Sequence, residues 1–144
     1  MLIGEYRHVL DSKKRVSLPA KFRKELGKTV VIAHGLDNCL FVYDLTHWKE
    51  LASNLSNNPM GQRDSRMFSR LVLGGAVETD VDAAGRILIP DTHKDYAQLD
   101  EKVVVMGVYN RVELWSEVRW ETYQAEAAKK ADELAEKLGE IGMI

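Results

Sequence analysis

The sequence predicts an α+β, β-rich fold in which two pseudo-symmetric copies of one unit share a barrel-like core, followed by a C-terminal helix. An internal repeat is the first support: Asp11-Ser-Lys-Lys-Arg15-Val-Ser-Leu-Pro19 matches Asp82-Ala-Ala-Gly-Arg86-Ile-Leu-Ile-Pro90 at a constant offset of 71. The second is the reach of that match. Gly4 falls on Gly75 and Leu10 on Val81. After a two-residue insertion Thr29–Ile32 falls on Lys102–Val105, then Leu40–Tyr43 on Val112–Trp115, and Trp48 on Trp120. The third is an alanine- and glutamate-rich stretch after the second copy, which has strong helix propensity. Two copies are too few for a solenoid, so they form a pair around one core.

Each element follows from local pattern. Residues 5–10 alternate, with Tyr6, His8 and Leu10 on one side and Arg7 and Val9 on the other, which is a half-buried strand. A tight turn covers 11–14 and a short strand 15–18, the two strands together making a hairpin. Pro19 suits the first turn of a helix, where its missing N–H costs nothing. That helix runs through Lys21–Leu26 and ends at Gly27. Residues 29–33 and 39–43 are apolar, β-rich strands. Asp44 is placed to cap a helix carrying Trp48 and Leu51. Asn54–Asn58 with Pro59 and Gly61 reads as a connector. A helix over 63–73 follows, with Arg63, Arg66 and Arg70 on one face and Met67, Phe68, Leu71 and Val72 towards the other. The second copy repeats the order through 76–120. From about Ser116 to Leu138 one helix is expected, with Trp120, Ala127, Leu134 and Ile141 recurring every seven residues. That stripe either seals the core or packs on a neighbouring helix, and sealing the core is the simpler expectation. The organisation is therefore a first repeat over 5–47, connecting helices over 48–75, a second repeat over 76–119, and a C-terminal helix and tail over 120–144.

Composition bounds the function. The chain has 144 residues, 45% hydrophobic and 29% charged, which is ordinary for a globular domain. No apolar run is long enough to span a bilayer, and the charged N-terminus is unlike a secretory signal. A single cysteine, Cys39, excludes an intrachain disulfide and fits a reducing compartment, so a cytoplasmic location is expected. The net charge is −2, but its distribution is uneven. Residues 1–28 carry eight basic side chains against three acidic ones, and residues 117–144 carry four against seven. A basic working face near the N-terminus is expected, with an acidic solvated tail.

The Asp-x-x-x-Arg turns carry the candidate chemistry. An aspartate opening a tight turn accepts hydrogen bonds from N–H groups two or more residues on. The fourth position calls for positive φ, which Gly85 tolerates. Arg15 and Arg86 follow at once, so a rigid tip presents a guanidinium that can enter a DNA groove or clamp a phosphate. Lys13 and Lys14 would add attraction for the backbone whatever the base sequence. The plainer alternative is that Asp11–Arg15 and Asp82–Arg86 only staple their own hairpins.

Gly4, Asp11–Pro19, Gly75 and Asp82–Pro90, each turn followed by an apolar strand pair and a Trp-bearing helix, resemble the MraZ family within the wider class of AbrB-like swapped-hairpin proteins. The resemblance covers the chain to about residue 120. It implies a cytoplasmic, nucleoid-associated transcriptional regulator that binds repeated promoter DNA near cell-division and cell-wall genes. It also implies a ring-type homo-oligomer whose turns face one side. Carried over by position, the DNA-contacting set is Asp11, Lys13, Lys14, Arg15, Asp82, Gly85 and Arg86. This sequence departs from the family at Lys14, where glycine is usual. A lysine at positive φ costs on the order of 1 kcal/mol, and an additional phosphate contact is expected to offset it. The second turn has Ala83 and Ala84 where the first has Ser12 and Lys13, so the first is expected to supply more of the affinity.

Other classes find little support. His8, His34, His47 and His93 are scattered, Cys39 has no thiol partner, and Gly74-Gly75 lacks the residues of a phosphate-binding loop, so no catalytic residue, metal, cofactor or small-molecule substrate is expected. Cys39 and the three tryptophans read as core residues. The rival from another class is a protein-interaction or antitoxin-like module on the same fold.

Overall fold

The computed structural model describes residues 1–144 and shows a mixed α+β, strand-rich fold. The first copy contributes β1 (Leu2–Val9), β2 (Arg15–Ser17), α1 (Ala20–Leu26), β3 (Thr29–His34), β4 (Leu40–Asp44) and α2 (Leu45–Ser56). After α3 (Arg63–Val72), the second contributes β5 (Val77–Asp80), β6 (Arg86–Leu88), α4 (Asp91–Tyr96), β7 (Lys102–Tyr109), β8 (Val112–Ser116) and α5 (Glu117–Lys129). The chain ends with α6 (Ala131–Glu140).

Six strands form an antiparallel sheet in the order β1-β7-β8-β4-β3-β5. The copies exchange their first strands: β1 pairs with β7 of the second copy, and β5 with β3 of the first. β4 and β8 meet at the centre, with Leu40 opposite Leu114. The short strands β2 and β6 leave this sheet and form a two-stranded ribbon of their own, Val16 opposite Ile87. The expected hairpin is therefore not a ladder between β1 and β2; each half finds its partner in the other copy. The sheet around the expected barrel-like core is not closed. β1 and β5 remain open edges, because β2 and β6 turn away at the two aspartates and bond only to each other.

One core explains the swap. Val16, Leu18, Ile87 and Ile89 of the ribbon and its exits, with Phe22 and Leu26 of α1, pack on Val30, Ile32, Leu40, Val42, Val103, Val105, Val112 and Leu114 of the sheet. A ribbon this short has too little apolar surface to fold alone; paired across the pseudo-twofold it closes one buried layer. Phe22 is fully buried and stands edge-on to Tyr6, their ring centres 5.3 Å apart, which ties α1 to β1. On the opposite sheet face α2 packs against β3 and β4, α3 against β3, and α5 against β7 and β8. There Cys39, Val104 and Trp115 form a smaller buried cluster with Phe41, Met106 and Trp120.

Local signals mostly act where the sequence places them. Gly27 ends α1 at φ +81°. Asp44 caps α2, its carboxylate accepting from the His47 N–H at 3.0 Å. Pro19 sits one residue earlier than expected, with extended backbone at the cap of α1. The C-terminal helix is divided at Lys130 (φ −101°, ψ 6°). Of its seven-residue stripe, Trp120 packs on Trp115 while Leu134 and Ile141 stay exposed, so sealing the core ends with α5. No helix is long and apolar enough to cross a membrane.

A histidine pair meets between the copies, His93 buried and His34 partly buried. His93 of α4 stacks on His34 of β3 with ring centres 4.5 Å apart, and neither His34 Nδ1 nor His93 Nε2 has a hydrogen-bond partner. Burial pushes both below the usual histidine value, and the facing His34 ring lowers His93 further. Below pH about 6.5 the unfolded chain takes up protons that the folded one resists, so stability falls on acidification through that value. Urea unfolding at pH 7.5 and 5.5 should show this loss, and His93→Phe should reduce it by keeping a ring in the slot without the proton. The turn carboxylates, which are shifted down, do not contribute in this window.

Candidate nucleic-acid interface

The two turns are built alike. Asp11 Oδ1 accepts from the N–H groups of Lys13 and Arg15, both at 2.9 Å, and Oδ2 accepts from Arg15 Nε at 3.2 Å. Asp82 Oδ1 accepts from the N–H groups of Ala84 at 3.0 Å and Arg86 at 2.8 Å, and Oδ2 from Arg86 Nε at 3.0 Å. These bonds, led by the backbone N–H of each arginine, hold both carboxyls below the usual range. Backbone bonds close each loop: Lys14 N–H to Asp11 C=O, and Gly85 N–H to Asp82 C=O.

Residues 71 apart then come together. Leu18 N–H donates to Gly85 C=O at 2.9 Å and Ile89 N–H to Lys14 C=O at 2.8 Å, so the ribbon sets the turns side by side. Arg15 Nη1 lies 4.0 Å from Asp82 Oδ2, and Arg86 Nη1 lies 4.0 Å from Asp11 Oδ2. Four charged side chains thus form one crossed network, and the fold brings Asp11, Arg15, Asp82 and Arg86 to one place. Each arginine anchors through Nε and is only partly buried. Its terminal nitrogens have no close partner beyond the 4.0 Å contact, which leaves donors of fixed direction for an anion. Lys13 is exposed beside them.

The chain matches the family model described as "MraZ protein, putative antitoxin-like" twice, over residues 1–71 and 72–139. The chain belongs to the MraZ family. It is 46% identical to the protein named transcriptional regulator MraZ of Caldicellulosiruptor saccharolyticus over 99% of this chain and 100% of that one. With the proteins of the same name from Natranaerobius thermophilus and Thermoanaerobacter sp. (strain X514), identity is 48% over 96% of each chain and 45% over 99% of this chain and 100% of that one.

Against the pattern of the MraZ family, the two turns differ at their fourth position. Lys14 has φ +61° and Gly85 φ +82°, both left-handed. The Lys14 ammonium is paired with the Asp91 carboxylate across the ribbon, a partner absent from the sequence argument. An exposed pair of this kind offsets little of the strain. Lys14→Gly is therefore expected to raise the melting temperature by a few degrees, about 1 kcal/mol of relieved backbone strain, and to weaken binding of any anion held at the tip. A thermal melt and a duplex titration check both halves.

Arg23 is the residue that sequence reasoning missed. Its Nε donates to Leu18 C=O at 2.8 Å, and its guanidinium lies over Gly85, where an added Cβ would fall 2.0 Å from Arg23 Cζ. A side chain at Gly85 would therefore displace the Arg23 guanidinium, in addition to the strain of φ +82°. A signal existed: the offset of 71 places Lys94 on Arg23, so both copies keep a cation there. Conversely Arg7, counted in the basic N-terminal stretch, is turned towards Glu117 and Glu121, with Nη1 at 3.4 and 2.7 Å. No group of three or more His, Cys, Asp or Glu side chains is placed to hold a metal ion. Cys39 is fully buried and its thiol is pushed up by that burial.

Proposed function

We propose that this chain is a sequence-specific DNA-binding transcriptional regulator whose contact surface is the crossed pair of Asp-x-x-x-Arg turns. The single observation behind this is that two turns remote in sequence share one network of partly exposed arginines and aspartates. In this reading Arg15 and Arg86 contact phosphate or base edges, and Asp11, Asp82 and Gly85 hold them in place. Lys13 and Lys14 add charge that is blind to sequence. A cluster of this size gives weak binding alone, so a ring of subunits meets repeated promoter elements and gains avidity, by roughly 10² to 10⁴. The names of the relatives support a transcriptional regulator, and in this reading it acts on promoter repeats near cell-division and cell-wall genes, as the family resemblance implies. In this reading the protein works in the cytoplasm, in association with the nucleoid.

The test is titration of a labelled duplex from the chain's own upstream region, beside a scrambled duplex, across a salt series. Selective, salt-sensitive binding is expected. Equal or no binding to both duplexes at low salt would favour the antitoxin-like interaction module instead.

A further inference from the structure

We infer that the cleft between the end of α2, the 57–62 connector and α3 is a binding site for a small phosphate monoester carrying a compact apolar ring. None of its lining residues belongs to the turns, and the inference does not depend on what the turns bind. α3 is turned inside out. Its packing on β3 leaves Met67, Phe68 and Leu71 58%, 39% and 40% exposed, while the side that carries Ser65, Arg66, Ser69 and Arg70 lines the cleft. Polar side chains turned inwards on an amphipathic helix need a polar group to meet. Arg66 is held by a carbonyl: its Nη1 donates to Met60 C=O at 2.8 Å, which fixes the guanidinium against the connector. Neither Arg66 nor Arg70 is within ion-pair distance of a carboxylate.

The lining selects the charge and shape of the ligand. Arg66 and Arg70 stand one helical turn apart, as do Ser65 and Ser69, so guanidiniums and hydroxyls form adjacent rows along one wall. Asn58 adds an amide from the connector, and no carboxylate lines the cleft. Asp64, the acidic residue of α3, lies across the helix from Leu73, about two and a half turns before it. The carbonyl end of α2 opposes an anion with about half a charge, which two guanidiniums outweigh; its Leu55 C=O is already taken by the Asn58 N–H at 3.2 Å. A phosphate monoester carries close to two negative charges and three terminal oxygens near pH 7, which matches two guanidiniums and the hydroxyl row. A carboxylate would leave one cation unmatched. Leu55, Pro59, Met60 and Leu73 supply the apolar remainder of the wall, where the ring packs. The cleft measures about 270 Å³. A cavity of about 150 Å³ already accepts benzene, so one ring and its phosphate fit.

Calorimetric titration of the full chain with phenyl phosphate tests this. Inorganic phosphate, benzoate and benzyl alcohol serve as ligands that keep the charge without the ring, the ring with a smaller charge, or the ring alone. The wild type is expected to take up one phenyl phosphate per chain, about 10-fold or more tighter than any of the other three. The turn arginines are also anion donors, so Arg15→Ala/Arg86→Ala is titrated in parallel and should keep this binding. Arg70→Gln changes an exposed side chain without an ion pair and should weaken binding about 10-fold or more, the worth of one charged hydrogen bond. Arg66→Gln/Arg70→Gln should remove it, with a melt of each variant in the absence of ligand to show that the fold is kept. Saturating phenyl phosphate should also raise the melting temperature of the wild type and leave that of the cleft double variant unmoved. The site is overturned if phenyl phosphate does not bind at millimolar concentration, or binds no more tightly than inorganic phosphate or benzyl alcohol. It is equally overturned if Arg70→Gln binds as the wild type does, or if binding disappears with the turn arginines. Benzoate binding as tightly as phenyl phosphate would overturn the choice of a phosphate.

Discussion

Replacing both turn arginines, Arg15→Ala/Arg86→Ala, is expected to abolish selective duplex binding. Each arginine lost should cost about 10- to 100-fold in affinity, the range for one well-placed guanidinium contact. The salt dependence should flatten by about one unit of slope for each phosphate contact removed per bound subunit. Lys129→Ala, which removes a cation from α5 on the opposite sheet face, should leave both quantities unchanged. Because Arg15 and Arg86 also bond their own aspartates, the melt of the double variant has to be followed alongside. Two outcomes are separable. If binding falls while the fold and oligomer persist, the arginines contact DNA. If the melting temperature falls and binding survives, the turns are staples, and the basic contacts must come from elsewhere on the chain.

The largest effect on stability is expected at Phe22. Phe22→Ala removes a fully buried ring from beneath α1 and leaves a cavity against Tyr6 and the sheet. Such truncations cost about 3–5 kcal/mol, a large part of the 5–15 kcal/mol that holds a typical domain. The melting temperature should drop by roughly 10–20 °C. Leu88→Ala on the ribbon, where the side chain is half exposed, should cost far less. The contrast matters for the turns, because α1 carries Arg23 and begins just after the ribbon. Loosening it should weaken DNA binding even though Phe22 touches nothing outside the core. A calorimetric scan together with the duplex titration would show both losses, and a Phe22→Leu variant, which refills most of the volume, should recover much of each.

The repeat also explains an oddity of the core. The offset that puts Arg86 on Arg15 puts His93 on Phe22, so the second copy fills with an imidazole the slot that the first fills with a phenyl ring. The two copies keep one backbone plan but differ in chemistry, and the second adds His93 to the acid sensitivity that His34 of the first also carries. The turns show the same divergence: Lys14 with Asp91 in one, Gly85 beneath Arg23 in the other.

By itself the sequence determined the periodic and local features. The repeat is read by direct comparison along the chain, while the strand and helix order, the Asp44 cap, the stop at Gly27 and the left-handed fourth position of each turn are consequences of neighbours a few residues apart. Hydrophobic period and backbone sterics act over that distance. Which strands pair was not legible, because alternation in β1 or β2 is the same whether its partner is the next strand or one 71 residues away. Only the shared core decided it: buried on one side and too short to stand alone, β2 and β6 satisfy their backbone groups on each other. The crossed arginine–aspartate network, the Lys14–Asp91 pair and Arg23 over Gly85 follow from that pairing and could not precede it. The outward apolar face of α3 is likewise a tertiary result. Its pattern states that one face is apolar, but packing on β3 decided which face is turned to solvent.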